Sequence, residues 1–268
     1  MPAASLRLRA GRERSLKRRH PWIFSGSVAR VAGRPEPGDT VVVESADGTF
    51  LAHAAYSPSS QIVGRVWSFD EGDVIDDAFV AHRITASAAR RSPLLARTNG
   101  ARLVFSEADG VPGLIADRYG AFVVVELTTA GAERWRDTIA DTLAGLPGVD
   151  GVYERSDIDM RQREGLDQRV GLLRGVEPPE LLTLEEDGAT FAVDVRRGHK
   201  TGFYLDQRES RSAIADLAPG RRVLDVFAYT GSFSVVAARA GAASTTSIDS
   251  SGPALALAAA NLERNGCP

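Results

Sequence analysis

Between Arg222 and Asp249 the chain reads as strand, tight turn, helix and strand, and no other stretch restricts its fold so strongly. Arg222 to Phe227 (RVLDVF) is an apolar run of buried-strand type, Ser232 to Ala240 has helical composition, and Thr245 to Asp249 is a second strand. A helix from Pro253 to Asn265 follows, with Ser251 as its cap and Pro253 in its first turn. Strands alternating with helices require a parallel sheet, because parallel neighbours need a crossover. Each strand carries an acidic residue near its end, Asp225 and then Asp249, 24 positions apart.

In such a sheet a ligand binds beyond the carboxyl ends of the strands, where an acid on the second strand can accept both hydroxyls of a ribose. A dinucleotide needs several glycines to bring its pyrophosphate against the helix, and this turn offers only Gly231 among Tyr229, Thr230 and Phe233. S-adenosylmethionine has no phosphate, tolerates the bulkier turn, and would place its cationic amino group before Asp225. An ordinary strand–helix–strand unit with a structural glycine remains the alternative on spacing alone.

Upstream, Asp39 to Glu44, Thr49 to Ala55 and Gln61 to Ser68 read as short strands, with hairpin chemistry at Ser45 to Gly48. They make a small all-β unit. Ala78 to Ala96 has helical periodicity; strands at 102–106, 114–117 and 122–127, a helix near 132–143 and a strand near 152–154 make an α+β segment closed by Glu177-Pro178-Pro179-Glu180. A hairpin, Leu182 to Glu185 and Phe191 to Val195, and a helix from Asp206 to Leu217 lead into the parallel strands. The expected domains are 1–72, 76–178 and 182–268.

Net charge is −3, but residues 1–34 hold nine Arg and Lys against Glu13 alone, a charge of +8, leaving −11 for the rest. The bulk therefore does not seek polyanions, whereas a basic arm gains salt-dependent affinity for a phosphate backbone. A solvated tail is the competing expectation for that arm. The single cysteine, Cys267, excludes an intramolecular disulfide and a Cys-rich zinc site, and no metal is expected. With no signal-peptide-like start and no apolar run of roughly 20 residues, a cytoplasmic chain without membrane contact is expected.

Gly198-His199-Lys200-Thr201-Gly202-Phe203-Tyr204-Leu205-Asp206-Gln207-Arg208, followed by Val223-Leu224-Asp225-Val226-Phe227-Ala228-Tyr229-Thr230-Gly231-Ser232-Phe233, resembles the large-subunit ribosomal RNA methyltransferases that carry an N-terminal PUA domain. His20-Pro21-Trp22-Ile23-Phe24 resembles that family's PUA start, and Ser106 to Leu114 (SEADGVPGL) its middle domain. The resemblance implies a small all-β PUA-like domain, an α+β middle domain and the start of a Rossmann-like α/β class I methyltransferase domain. The implied cofactor is S-adenosylmethionine. Asp225, Phe227, Tyr229, Gly231 and Phe233 would form the donor loop, Asp249 and Ser250 would hold the ribose, and Lys200, Phe203, Gln207 and Arg208 would close the site. Lys17, Arg18, Arg19 and His20 would meet RNA phosphates and Trp22 or Phe24 would stack a base, although core packing is the commoner fate of such aromatics. The implied reaction is methylation of a ribosomal RNA base at cytosine C5, with ribosomal RNA and a second copy of the chain as expected partners.

The family continues into an adenine-contacting acidic segment, an Asp-Pro-Pro motif and, in cytosine-5 members, a catalytic Cys, none of which occurs before Pro268. The reading is therefore of an amino-terminal portion whose nucleophile lies beyond residue 268, since Cys267 follows a terminal helix with no shaped pocket. On that reading Val223, Val226, Val235 and Ile248 are poorly covered, and the chain is aggregation-prone or locally unfolded beyond about residue 220. Two rivals differ in class: a non-catalytic RNA-binding module or inactive fragment, and a nicotinamide oxidoreductase disfavoured by the glycine-poor turn.

Overall fold

The computed structural model describes residues 4–267. They divide into two compact units, one of residues up to 92 with 102–117 and 121–177, the other of residues 93–101, 118–120 and 178 onwards. One division falls between Glu177 and Pro178, and residues up to 92 lie in the same unit as 121–177.

The first unit begins with β1 (Ser5–Leu8), inside the basic stretch. Its LRLR alternation turns Leu6 and Leu8 into the core, at 0% and 1% exposure, and Arg7 and Arg9 outward. Arg7 meets Glu44 at 3.0 Å. This corrects the expectation of a free basic arm: apolar residues at period two bind it into the sheet before its charges can act. A short helix, α1 (Arg14–Lys17), adds Leu16 to the core. The sheet is completed by β2 (Trp22–Phe24), β3 (Val28–Ala32), β4 (Thr40–Glu44), β5 (Phe50–Tyr56) and β6 (Ile62–Ser68), in the order β2-β6-β5-β4-β1-β3. β1 lies parallel to β4 and antiparallel to β3. In β2 only Ile23 faces inward, so Trp22 and Phe24 are 37% and 47% exposed rather than core residues.

The same unit continues with α2 (Asp77–Arg90), capped by the Asp76 carboxylate, which accepts from Phe79 N at 2.9 Å. The single helix expected to Ala96 breaks at Arg91, because Pro93 disfavours helical geometry in the residue before it. After α3 (Ser92–Leu95) come β7 (Gly100–Phe105), β8 (Leu114–Tyr119), β9 (Phe122–Leu127), α4 (Ala130–Arg134), α5 (Arg136–Ala144), β10 (Gly151–Ser156), α6 (Met160–Arg163) and β11 (Arg169–Gly175). The five strands run in the order β11-β10-β9-β8-β7. Helices α4 and α5 form the crossover that lets β9 and β10 pair in parallel.

From residue 178 the second unit continues with a hairpin, β12 (Leu182–Glu186) and β13 (Ala189–Val193), turning at Asp187-Gly188 with φ of +46° and +79°. A 3-10 turn at Leu205–Gln207 precedes α7 (Arg208–Leu217). Then come β14 (Arg222–Val226), α8 (Ser232–Arg239), β15 (Ser244–Ile248) and α9 (Gly252–Arg264), with β14 and β15 parallel and Asp225 opposite Ser247. Ser251 caps α9 as expected, accepting from Ala254 N at 3.3 Å.

Val235 departs from its expected poor coverage: α8 seats it fully in the core at 0% exposure. On the strands burial alternates strictly, leaving Leu224, Val226 and Ile248 61%, 47% and 50% exposed. Helix α9 is tied to the hairpin by two asparagines one turn apart. Asn261 accepts from Ala192 N at 2.8 Å and donates to Thr230 O at 3.0 Å, and Asn265 accepts from Thr190 N and donates to its carbonyl. No helix among the described residues is long and apolar enough to cross a membrane.

Candidate functional site

The loop from Phe227 to Gly231 joins β14 to α8 in a tightly wound path. Phe227, Tyr229 and Gly231 all take positive φ, at 62°, 49° and 70°. For two aromatic residues this is strained backbone, which persists only where the surroundings impose it and which clusters at functional sites. Gly231 meets a second demand, since a Cβ there would lie 2.7 Å from the Ala258 Cβ.

Asp249, just past β15, holds this loop. Its Oδ2 accepts from Tyr229 N at 2.8 Å and its Oδ1 from Ser251 N at 2.9 Å. These two backbone N–H groups, Ser251 first, keep the carboxyl below its ordinary range, with further help from His199. It is thus a carboxylate at neutral pH with lone pairs to spare. Ser250 beside it is exposed.

Asp225 is turned the other way. Its Oδ2 accepts from Ser234 Oγ at 2.9 Å and from Ser234 N at 3.2 Å, so it serves the first turn of α8. Burial raises its pKa, against the lowering effect of the Ser234 bonds.

The Gly198–Arg208 segment reaches the loop through rings. His199 stacks on Tyr229 at 4.6 Å and 10°, and Tyr204 meets the same ring edge-on at 5.6 Å. The Tyr229 hydroxyl accepts from His199 N and donates to Gly202 O. Lys200 lies over the Tyr204 ring, 4.4 Å from its centroid, with Nζ 2.9 Å from Asp206. His199 and Tyr204 belonged to the motif without an assigned role, and only their through-space meeting with Tyr229 reveals one.

Two expected site residues are placed elsewhere. Phe203 is 2% exposed, packed on Phe191 at 5.3 Å with the Arg211 guanidinium 4.9 Å from its ring centre, so its apolar ring serves the core. Arg208 points to Glu186, which accepts from its Nε at 2.9 Å, and away from the loop. Gln207 is half-buried at the start of α7, and Phe233 is half-buried in the first turn of α8. Cys267 is buried, its thiol against Asn265 O.

The loop fits a nucleoside-bearing ligand. Phe227 is 88% exposed, Asp249 offers open acceptors, and the buried Thr230 Oγ1 has no hydrogen-bond partner. In the first unit, the expected RNA contacts cluster around α1. Trp22 Nε1 donates to Glu107 at 2.8 Å, and His20 Nδ1 accepts from Trp22 N. Arg19, itself at φ 61°, lies over Phe69 at 5.4 Å, and Lys17 is 3.9 Å from Glu13.

Comparison with known proteins agrees with this arrangement. Residues 6–69 match a PUA-like domain and residues 138–267 an S-adenosylmethionine-dependent methyltransferase domain. The chain is 48% identical over 267 residues to "Ribosomal RNA large subunit methyltransferase I" of Photobacterium profundum, covering 98% of this chain and 67% of that protein. The protein of that name from Shewanella denitrificans is 47% identical over 268 residues, with the same coverage of each chain. A candidate S-adenosylmethionine-dependent methyltransferase from Streptococcus mutans superposes with a TM-score of 0.84 at 28% identity, over 98% of this chain and 68% of that one. A second solved structure, a candidate methyltransferase complexed with SAH, gives 0.85 at 27% identity over 98% and 67%. Identity this high over 98% of this chain and 67% of each relative places the chain in the ribosomal RNA large subunit methyltransferase I family.

Proposed function

We propose that the chain binds S-adenosylmethionine at the Phe227–Gly231 loop and serves methylation of large-subunit ribosomal RNA, with cytosine C5 as the target atom. The observation that carries this is Asp249, an ionised carboxylate fixed at the end of the second parallel strand by the Tyr229 and Ser251 N–H groups. When bound, S-adenosylmethionine supplies an electrophilic methyl group on a sulfonium. Asp249 would accept from the ribose hydroxyls, with Ser250 beside it, and the Phe227 ring would cover an apolar face of the ligand. Tyr229, Gly231 and Phe233 shape the loop, Asp225 braces the first turn of α8, and Lys200 would meet the donor's carboxylate. The cytosine C5 target rests on the resemblance of the two motifs.

Asp249→Ala is expected to weaken S-adenosylmethionine binding about 10- to 100-fold, the loss of hydrogen bonds to a charged acceptor. Isothermal titration of the two proteins reads this, and equal affinities would remove Asp249 from the site. Since Asp249 also holds Tyr229, hydrogen exchange at 227–231 in the unliganded proteins separates loop release from a lost ribose contact.

For RNA, Lys17, Arg18, Arg19 and His20 are the proposed phosphate contacts and Trp22 the stacking surface. Trp22 is supported in this by its 37% exposure and its edge fixed on Glu107. Replacing Arg18 and Arg19 by Ala is expected to make the slope of log K against log salt shallower by about 1.4 for a single-stranded oligoribonucleotide, roughly 0.7 for each phosphate contact. An unchanged slope would exclude both side chains from the interface.

A further inference from the structure

The buried ion cluster of the second unit contains more positive charge than negative. Arg211 and Arg208, 1% and 8% exposed, both donate to Glu186, itself 4% exposed. Their other hydrogen bonds go to neutral acceptors, from Arg208 Nη2 to Gly100 O and from Arg211 Nη1 to Tyr204 O. One carboxylate therefore serves two buried guanidiniums. The neighbouring acid, Asp187, is engaged 2.7 Å from Arg97. A buried charge lacking its counter-charge is strongly unfavourable, so such an excess calls for an anion.

The cluster opens on a pocket of about 220 Å³ lined by Glu186, Asp187, Arg208, Arg211, Ser212 and Arg239. Arg239, in the last turn of α8, is exposed and has no ion pair among the described residues. A helix's carboxyl end would ordinarily repel an anion. Here the Val236, Ala237 and Ala238 carbonyls are taken by the N–H groups of Ala240, Ala242 and Gly241, and Arg239 offsets what remains. The pocket lies at the opposite end of α8 from the Gly231 loop. Eight helical residues, roughly 12 Å at 1.5 Å each, separate the two sites.

We propose that this pocket binds a tetrahedral phosphate group. Arginines that line it from α7 and from α8, together with Ser212, suit an oxyanion with acceptors on several sides better than a planar carboxylate. The volume admits one such group with water. Inorganic phosphate and the backbone phosphate of an RNA strand share this chemistry, and the proposal does not depend on the donor-site reading.

The test is titration of the 268-residue chain with inorganic phosphate at constant ionic strength, chloride serving as control, followed by 31P line width and by thermal unfolding. The expected result is line broadening that saturates and a rise in Tm of about 3 °C at ten times the dissociation constant. Arg239→Ala, an exposed position that leaves the core intact, should abolish both, and Arg239→Lys should retain part. The absence of saturable broadening in the wild type, or the same response in Arg239→Ala, overturns the proposal. Displacement of the phosphate signal by a single-stranded oligoribonucleotide identifies the RNA backbone as the source, and phosphate binding that survives it identifies the free anion.

Discussion

Replacing Glu186 by alanine is expected to destabilise the second unit by about 3–5 kcal/mol, the range for removing one partner of a buried ion pair. Two guanidiniums, Arg208 and Arg211, would then be buried without their shared acceptor. The effect should exceed that of any exposed pair, such as Arg7 with Glu44, where solvent screening leaves about 1 kcal/mol at most. Hydrogen exchange of the β12 and β13 amides across a urea series reads the loss within this unit alone. A triple replacement, Glu186→Leu with Arg208→Leu and Arg211→Met, should recover most of it, because no charge then remains to be neutralised. A cost below about 1 kcal/mol for Glu186→Ala would mean that the guanidiniums regain water when the carboxylate is gone.

Glu126 on β9 should make the first unit less stable as pH rises. Burial, reinforced by the neighbouring Asp117, raises its carboxyl from 4.5 to about 7, with Arg102 and Arg155 only partly opposing. Arg102 is already committed to Asp117 through two 2.8 Å bonds, and Arg155 to Asp157 at 3.0 Å. The folded state therefore binds the proton more tightly than the unfolded state. Stability is greatest below pH 4.5, falls as pH rises from there to about 7, and is level beyond, as far as this group is concerned. At about 1.4 kcal/mol per pH unit the ionised side chain costs roughly 3 kcal/mol. Glu126→Gln, which has no proton to lose, should lack this decline. Urea midpoints of the two proteins should diverge between pH 5 and pH 8, and parallel curves would show that Glu126 ionises at its ordinary pKa.

The parallel unit was legible because strand, turn and helix there are local. Val223 to Val226 is an apolar run, Gly231 and Ser232 mark the turn, and Ser251-Gly252-Pro253 signals a helix start, all within a few residues of the structure they specify. The loop after β14 was readable for the same reason, since Asp225 and Asp249 mark strand ends. β1, β3 and β11 were not read. β1 lies in a stretch whose nine basic residues masked two buried leucines, and the largely exposed β11 carries little apolar signal.

Sequence by itself determined the order of elements in the second unit, the turn chemistry at Ser45–Gly48, and the acidic residues that end the parallel strands. These depend on neighbours in the chain, whose preferences survive without tertiary context. Tertiary structure alone decided which side chains share a site. Phe203 and Arg208 fall inside the same motif as Lys200, yet one packs on Phe191 and the other pairs with Glu186, 22 residues away. His199, Tyr204 and Tyr229 become one ring cluster, and Asn261 and Asn265 bind the edge of β13. Such pairings are set by burial and by the need to satisfy polar groups across long loops, a condition that no local pattern encodes.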